Sequence, residues 1–189
     1  MTEKLSQDEQ SILLHIAREA LEHAVNGKSL PEFDLSLLPL SLQELGASFV
    51  TLTSKGRLRG CIGTLESYQP LVKDVQEHAV AAALQDPRFP IVQPTELSKI
   101  RIEVSALSPK APLQYEDTQD LVNNLRPNVD GVVLQDGFRK ATFLPQVWKQ
   151  LPTPHGFLSH LCVKMGAPAN LWQKKPLQVY TYQVQEFHE

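Results

Sequence analysis

The sequence predicts an α+β fold in which helices pack on a mostly antiparallel sheet. Three observations support this prediction. A capped amphipathic helix comes first, short alternating strands follow it, and the order strand, turn, strand, helix, strand occurs twice. Of the 189 residues, 42% are hydrophobic and 21% are charged, as is usual for a globular domain. We therefore expect a single domain over residues 1–189.

The N-terminal helix is predicted over about residues 7–25. Ser6 and Glu9 have the spacing of a capping box, and apolar residues recur behind them at helical intervals. Asn26 and Gly27 end the pattern. A connection that contains prolines then leads to the first strand.

Two halves with the same order of elements are predicted over about residues 46–107 and 130–185. Their expected strands and helices, in chain order, are strands 46–52 and 57–63, helix 71–84 and strand 100–106, then strands 132–134 and 139–144, helix 157–165 and strand 177–184.

The turn glycines of the two predicted hairpins give an alignment of the halves. This alignment places Arg59 on Lys140 and Cys61 on Thr142. We expect the halves to share one sheet, with Cys61 and Thr142 near one concave face.

Composition argues against several classes of function. The formal net charge is −3 and the cationic residues are scattered, which disfavours nucleic acid or an anionic membrane as partner. Apolar runs are far shorter than the ~20 residues that cross a bilayer, and the N-terminus does not read as a signal peptide. Two cysteines make no disulfide framework, and no metal-ligand spacing is present. We expect a cytoplasmic protein without metal or cofactor.

The run Leu58–Gly63 carries the main candidate site. It places Cys61 between Gly60 and Gly63, directly behind Arg59. Glycines inside a strand pack nothing and mark a bulge or a close backbone approach, and packing alone does not account for two of them beside a thiol. One interpretation is a reactive thiolate, acting as nucleophile, acyl carrier or redox group. The other is a small buried packing residue.

Arg59 also has two interpretations. Its guanidinium can bind a carboxylate or phosphate through two parallel hydrogen bonds, or it can form an ordinary salt bridge to Glu66, Glu103 or Asp130. A base for the thiol is not indicated, because no spacing singles out one of the six histidines, although His78 follows the motif.

The remaining candidate residues lie on a proline-fixed turn and on two strands. Asp86 and Arg88, in the turn over 86–90, are expected at the edge of a cleft or in a local ion pair. Glu103 lies on the more polar face of its strand and either faces the cleft or faces solvent. Thr142 either faces the same cavity or is present for its β-propensity.

The motifs closely resemble those of the AMMECR-one domain family. The similarity rests on the run Gly46–Leu52 followed by Leu58–Gly63, and it covers essentially the whole chain. It continues through residues 79–83, 86–90, 102–109, 131, 141–148 and 157–166, then Trp172 and residues 180–187. Ala106 and Met165 depart from the expected residue types and are interpreted as packing variants.

The resemblance implies a fold of two related halves but no established substrate. Bacterial and archaeal members resemble protein A of the AmmeMemoRadiSam system, which implies a Memo-like protein and a radical SAM protein as partners. We therefore expect an enzyme or enzyme component whose Cys61 and Arg59 act on a small anionic molecule or a modified protein group. In it, backbone N–H groups of residues 60–63 help to hold an oxyanion. The alternative is a non-catalytic scaffold domain that binds those partners.

Overall fold

The computed structural model describes residues 4–189, which fold into two compact units. Of the described residues, the first unit comprises 4–108 with Gln185–Glu189, and the second comprises Pro109–Val184. Each unit has its own hydrophobic core and its own sheet.

The described residues contain helices α1 (Gln7–Val25), α2 (Leu40–Gln43), α3 (Leu71–Leu84), α4 (Thr118–Asn124), α5 (Pro154–Lys164) and α6 (Leu171–Lys174). The strands are β1 (Leu45–Ser54), β2 (Arg57–Gly63), β3 (Gln69–Pro70), β4 (Ile100–Leu107), β5 (Ala111–Pro112), β6 (Gly131–Asp136), β7 (Arg139–Phe143), β8 (Gln178–Tyr182) and β9 (Val184–His188). The first sheet has the order β2-β1-β4-β9, with β3 also paired to β1, and the second has the order β5-β8-β6-β7.

The predicted elements are present, and β1, β4, β6 and β7 begin and end within two residues of their predicted bounds. Larger differences occur at α5 and at the last predicted strand. The bounds of α1, α3 and β2 are as predicted, and Ser6 and Glu9 form the predicted capping box. Helix α5 starts before Phe157, because Thr153 caps it and Pro154 takes its first position. The strand predicted over 177–184 is divided at Gln183 into β8 and β9.

The expectation of one sheet shared by both halves is wrong. β8 pairs with β6 in the second sheet, whereas β9 lies beside β4 in the first. The alternation that predicts a single strand over 177–184 cannot show that the chain changes sheets within it. Cys61 and Thr142 therefore belong to different sheets.

The repeat itself is confirmed by the strand order of the two units. In the first, β1 lies between its hairpin partner β2 and the returning strand β4. In the second, β6 lies between its hairpin partner β7 and the returning strand β8. All these pairings are antiparallel. Each half is therefore a hairpin, a helix and a third strand on the far side of the first.

The first hairpin contains a β-bulge that the second lacks. Leu58 lies opposite Thr53, whereas Gly60 lies opposite Leu52, so Arg59 is an extra residue in β2. Both turns have two central residues, Lys55-Gly56 and Gly137-Phe138, and β7 pairs with β6 without interruption. Counted along the ladders, Cys61 corresponds to Thr142, as predicted. Arg59 has no counterpart, so its predicted match to Lys140 is wrong.

Gly60 is required by the packing of β2 on α3. A Cβ atom at this position would lie 2.1 Å from the carbonyl oxygen of Ala82 and 3.0 Å from its carbonyl carbon. Those atoms belong to helix backbone and cannot move aside cheaply. The glycine therefore allows a close approach of strand and helix rather than space around a thiol.

We expect Gly60→Ala to lower the free energy of unfolding by about 3 kcal/mol, because the added methyl group forces β2 away from α3. Gly156→Ala is the matched control, since its nearest neighbour would be the Thr153 hydroxyl at 3.1 Å. That variant should change stability by less than about 1 kcal/mol. Urea denaturation measures both, and equal effects would show that the contact with Ala82 does not limit packing.

Candidate functional site

Cys61, Thr51 and Glu103 form a row of side chains across three neighbouring strands. Thr51 on β1 lies directly opposite Cys61 on β2 and also directly opposite Glu103 on β4. The alternate residues Val50 and Leu52 point into the core formed with α1 and α3. The row therefore lies on the other face of the sheet, where all three side chains are half-buried.

The bulge decides which face Cys61 occupies. Without the bulge, with Arg59 paired regularly opposite Leu52, Cys61 would lie opposite Val50, on the face that is buried beneath the helices. One added residue turns the thiol to the outer face and places it beside Thr51. Bulges of this kind are common next to functional sites, where they redirect a side chain.

Two side chains close the edge of β2 at Cys61. The Cys61 N–H donates to Asp86 Oδ2 at 2.8 Å, and Arg88 Nη2 donates to the Cys61 carbonyl at 3.0 Å. Arg88 also donates to Asp86, from Nε at 2.9 Å and from Nη2 at 2.7 Å. We call this ion pair the Asp86–Arg88 clamp. The N–H and carbonyl groups of Cys61 both point away from β1, toward the open edge of the sheet. The clamp binds these two groups as a neighbouring strand would.

The sequence builds the clamp at the end of α3. Pro87 and Pro90 cannot continue a helix, so the chain turns after Leu84. The Phe89 N–H donates to the Asp86 carbonyl at 3.2 Å, which closes the turn and brings Arg88 back over the Asp86 carboxylate.

The clamp joins a buried anion to an exposed cation. The Asp86 side chain is 2% exposed and that of Arg88 is 54% exposed. Hydrogen bonds from Arg88 hold the pKa of Asp86 well below its usual range despite its burial. The pKa of Arg88 is raised, chiefly by its hydrogen bonds to Asp86 and to a smaller extent by Cys61. The cation beside Cys61 is therefore Arg88.

Arg59 is held by the chain itself. Its Nε and Nη2 donate to the two carboxylate oxygens of Glu96 at 2.9 and 3.0 Å. Its Nη1 donates to the Pro90 carbonyl at 2.8 Å, and Nη2 also reaches the Ile91 carbonyl at 3.3 Å. The guanidinium thus fastens the segment after the clamp to β2 and is not presented openly to a ligand.

Gly63 also has a packing role. A Cβ atom there would lie 2.4 Å from the Phe49 ring and 2.4 Å from the Ser48 carbonyl oxygen. Close approaches therefore account for both glycines that flank Cys61, and the view that packing cannot explain them is wrong. The Cys61 N–H is also bound to Asp86, so it is not available to an oxyanion.

His78 belongs to a buried cluster on the opposite face of the sheet from Cys61. Its Nδ1 lies 3.1 Å from Asp74 Oδ2, and Ser48 Oγ donates to the same oxygen at 2.6 Å. Ser48 shares the face of Val50, beneath the helices, so His78 is not placed to act as a base for the Cys61 thiol.

Thr142 is engaged within the second unit. Its hydroxyl donates to the Val132 carbonyl at 2.9 Å and lies 3.0 Å from the Tyr182 hydroxyl. Burial raises the pKa of Tyr182 to about 12. Lys164 Nζ donates to the Thr142 carbonyl at 2.9 Å, as Arg88 does to Cys61. In both halves, a cation therefore donates to the corresponding carbonyl of an edge strand. Arg88 follows helix α3, and Lys164 is the last residue of helix α5.

Thr51 and Glu96 are the residues that sequence analysis missed. Thr51 Oγ1 donates to Cys61 Sγ at 3.3 Å. Counting back from the hairpin turn does not reveal this pair, because the bulge shifts the register by one residue. Glu96 lies 37 residues after Arg59, and no periodic pattern links the two.

Residues 4–189 contain neither a cluster of metal-ligating side chains nor a helix that could span a membrane. No group of three or more His, Cys, Asp or Glu side chains there is placed to hold a metal ion. None of the helices in this part of the chain is long and apolar enough to cross a membrane.

The fold places this chain among α+β proteins that are built from two repeated units. The family model described as AMMECR1 matches residues 14–187. The chain therefore belongs to the AMMECR1 family, which confirms the resemblance seen in its motifs.

Two proteins and one solved structure are similar to this chain over most of their length. A protein of Methanothermobacter thermautotrophicus is 40% identical over 186 residues, covering 98% of this chain and 96% of its own length. Protein MK0488 of Methanopyrus kandleri is 35% identical, covering all of this chain and 92% of its own. The crystal structure of uncharacterized protein PH0010 from Pyrococcus horikoshii has a TM-score of 0.79 at 30% identity, covering 94% and 89% of the two chains. These relatives support the α+β fold and name no reaction.

We expect the clamp to make stability sensitive to acid. The folded-state pKa of Asp86 lies below the unfolded value of about 3.9, so its contribution is present above about pH 4 and is lost as the pH falls further. Asp86→Asn should therefore lower the free energy of unfolding by about 2 kcal/mol at pH 7. This deficit should narrow below about pH 4.

Denaturant titrations from pH 7 to pH 3 test this expectation. Glu32→Gln, which alters an exposed carboxylate, serves as control and should change stability by less than about 0.5 kcal/mol. A deficit for Asp86→Asn that stays constant down to pH 3 would contradict the role given to the clamp.

Proposed function

We propose that this protein is an enzyme, or the thiol-bearing component of one, that acts on a small anionic molecule or a modified protein group. The observation that supports this most is the position of Cys61. Its thiol is half-buried on the outer face of the sheet, and the exposed cation of the clamp lies beside it. A thiol next to an arginine is suited to nucleophilic attack on a negatively charged substrate.

Arg88 is the anion-binding residue of the proposed site. Its Nε and Nη2 are bound to Asp86 and Cys61, whereas its Nη1 makes no hydrogen bond within residues 4–189. The outer edge of the guanidinium can therefore donate to a carboxylate or phosphate oxygen. The sequence predicts that Arg59 orients the substrate, but the Arg59 guanidinium is bound to Glu96. We therefore assign the substrate-orienting role to Arg88.

The proposed chemistry is acyl transfer to Cys61. The bond from Sγ to the substrate carbonyl carbon forms as the bond from that carbon to its leaving group breaks. The thiol proton departs with the leaving group, and no oxidant or reductant is needed. Glu103, two strands away on the same face, supplies a carboxylate to the substrate side of the row.

A scaffold function remains the second candidate. Arg59, Gly60, Gly63 and Asp86 all have structural roles, so most of the motif is explained without catalysis. On this hypothesis the domain binds a Memo-like protein and a radical SAM protein. Cys61→Ser would then leave complex formation unchanged, whereas changing Arg88 would weaken it. Both hypotheses place the protein in the cytoplasm, in keeping with two free cysteines.

We expect Cys61 to prefer an anionic alkylating reagent over a neutral one. The ratio of its rates with iodoacetate and iodoacetamide should exceed the ratio for unfolded protein by about tenfold, because a single cation nearby contributes roughly this much. Peptide mass spectrometry reads Cys61 separately from the buried Cys162.

Two variants serve as controls for this measurement. Arg88→Gln should abolish the preference, whereas Arg101→Gln, which removes an exposed cation from β4, should retain it. If folded protein shows no preference, or if Cys61 reacts only after unfolding, the proposed site is wrong and the scaffold function is favoured.

A further inference from the structure

We infer that this protein self-associates through the tip of its second hairpin, which docks on an acidic segment of another copy that carries exposed leucines. This inference is independent of the proposed function. The tip is the turn Gly137-Phe138 between β6 and β7. The Phe138 ring is fully exposed, so it packs on no other side chain within residues 4–189.

Turn chemistry accounts for Gly137 but not for Phe138. Gly137 has a φ of 58°, whereas φ at Phe138 is not positive, which is the pattern of a type II′ turn with glycine at its first central position. The second position of such a turn does not require an aromatic residue. The corresponding hairpin of the first unit has Lys55-Gly56 at its tip, so the repeat forms its turn there without an apolar side chain. Phe138 is therefore not explained by the fold of the hairpin.

The base of the tip is fixed by ion pairs and carries an excess of cations. Arg139 Nη2 donates to Asp136 Oδ2 at 2.8 Å, and Lys175 Nζ donates to Asp136 Oδ1 at 2.7 Å. Lys140 and Lys174, the chain neighbours of these two cations, are also exposed. Because the turn is already held in place, little conformational entropy is lost when the ring is buried. A fixed aromatic ring among cations fits an apolar surface that is flanked by carboxylates.

The two units of the chain have opposite charge. Residues 4–108 with 185–189 contain fifteen Asp and Glu against ten Lys and Arg, a formal charge of −5. Residues 109–184 contain five Asp and Glu against eight Lys and Arg, a formal charge of +3. Opposite charges favour contact between the second unit of one copy and the first unit of another. A second copy is therefore a partner of complementary charge.

Segment 32–45 of the first unit has the surface that the tip requires. Leu42 is fully buried and fixes the segment to the core, whereas Leu37 and Leu40 are 81% and 76% exposed. Residues 29–54 contain no Lys or Arg. The exposed carboxylates of the segment are Glu32, Asp34 and Glu44. These leucines, flanked by carboxylates, are the docking surface that we assign to Phe138 of the other copy.

The size and symmetry of this contact determine how it is measured. A hairpin tip buries less area than a standard interface of about 1,600 Å², so the association is weak. We expect monomers at about 10 μM and a higher average mass at about 1 mM. Because two different surfaces meet, the contact is heterologous and forms closed rings or open chains of copies. Association should be weaker at about 500 mM than at about 50 mM NaCl, since salt screens the charges.

Sedimentation equilibrium of the full chain and three variants tests the inference. Phe138→Ser removes the ring of the tip, and Leu37→Ser removes an exposed side chain of the docking surface. Val163→Ser is the matched control, because it removes another exposed apolar side chain, 58% accessible, from the second unit. The first two substitutions should each weaken association about tenfold, as expected for the loss of a buried apolar side chain, and the control should leave it unchanged.

A mixture of the two weakened variants gives the sharpest result. The Phe138→Ser protein retains the docking surface and the Leu37→Ser protein retains the tip, so an equimolar mixture should associate more strongly than either variant alone. Wild-type protein that stays monomeric at about 1 mM would overturn the inference. So would Phe138→Ser protein that associates as the wild type does, or a mixture that gains nothing. Monomeric protein that binds phosphatidylserine vesicles through Phe138 would identify a membrane as the partner and would also overturn it.

Discussion

Because β2 carries one residue more than the stretch of β1 that it pairs with, Cys61 points away from the core and toward Thr51. The remainder of the site depends on this register. With the bulge at Arg59, Gly60 faces α3 and can approach the backbone of Ala82, while Cys61 faces the open side of the sheet. A shift of one residue would exchange these two environments. It would turn the thiol toward α3, where even a Cβ atom has no room, and place Gly60 on the outer face.

The bulge and the strand edge are held in place by charged groups from the segment after α3. Arg59, the bulged residue, is fixed by both oxygens of Glu96, and the backbone of Cys61 is fixed by Asp86 and Arg88. Unpaired edges of sheets invite pairing with other chains, and side chains that occupy them prevent this. The second unit uses Lys164 at the corresponding carbonyl of Thr142. Both halves thus have a cation that donates to an edge-strand carbonyl, and only in the first half does the residue with that carbonyl carry a thiol.

Local patterns predict the elements of this fold, whereas register and long-range pairing decide the site. The capping box at Ser6 and Glu9, the apolar spacing of α1 and the glycine-containing turns identify elements from neighbouring residues. The bulge leaves no such local pattern, so the sequence shows neither that Thr51 lies beside Cys61 nor that Arg59 has no counterpart in the second hairpin. Local patterns also cannot show which sheet a strand joins, and for this reason the sequence wrongly predicts one sheet shared by both halves. Alternation across Gln183 continues although the chain passes from one sheet to the other.

The measurement that tests the account most directly is the labelling of both cysteines by a neutral alkylating reagent under native conditions, compared with the rate of global unfolding. Cys162 is fully buried, and burial raises the pKa of its thiol, so it reports unfolding. The account predicts that Cys61 reacts far faster than the protein unfolds and that Cys162 reacts no faster than unfolding allows. Equal labelling of the two cysteines, limited by unfolding, would contradict it and would make Cys61 a packing residue.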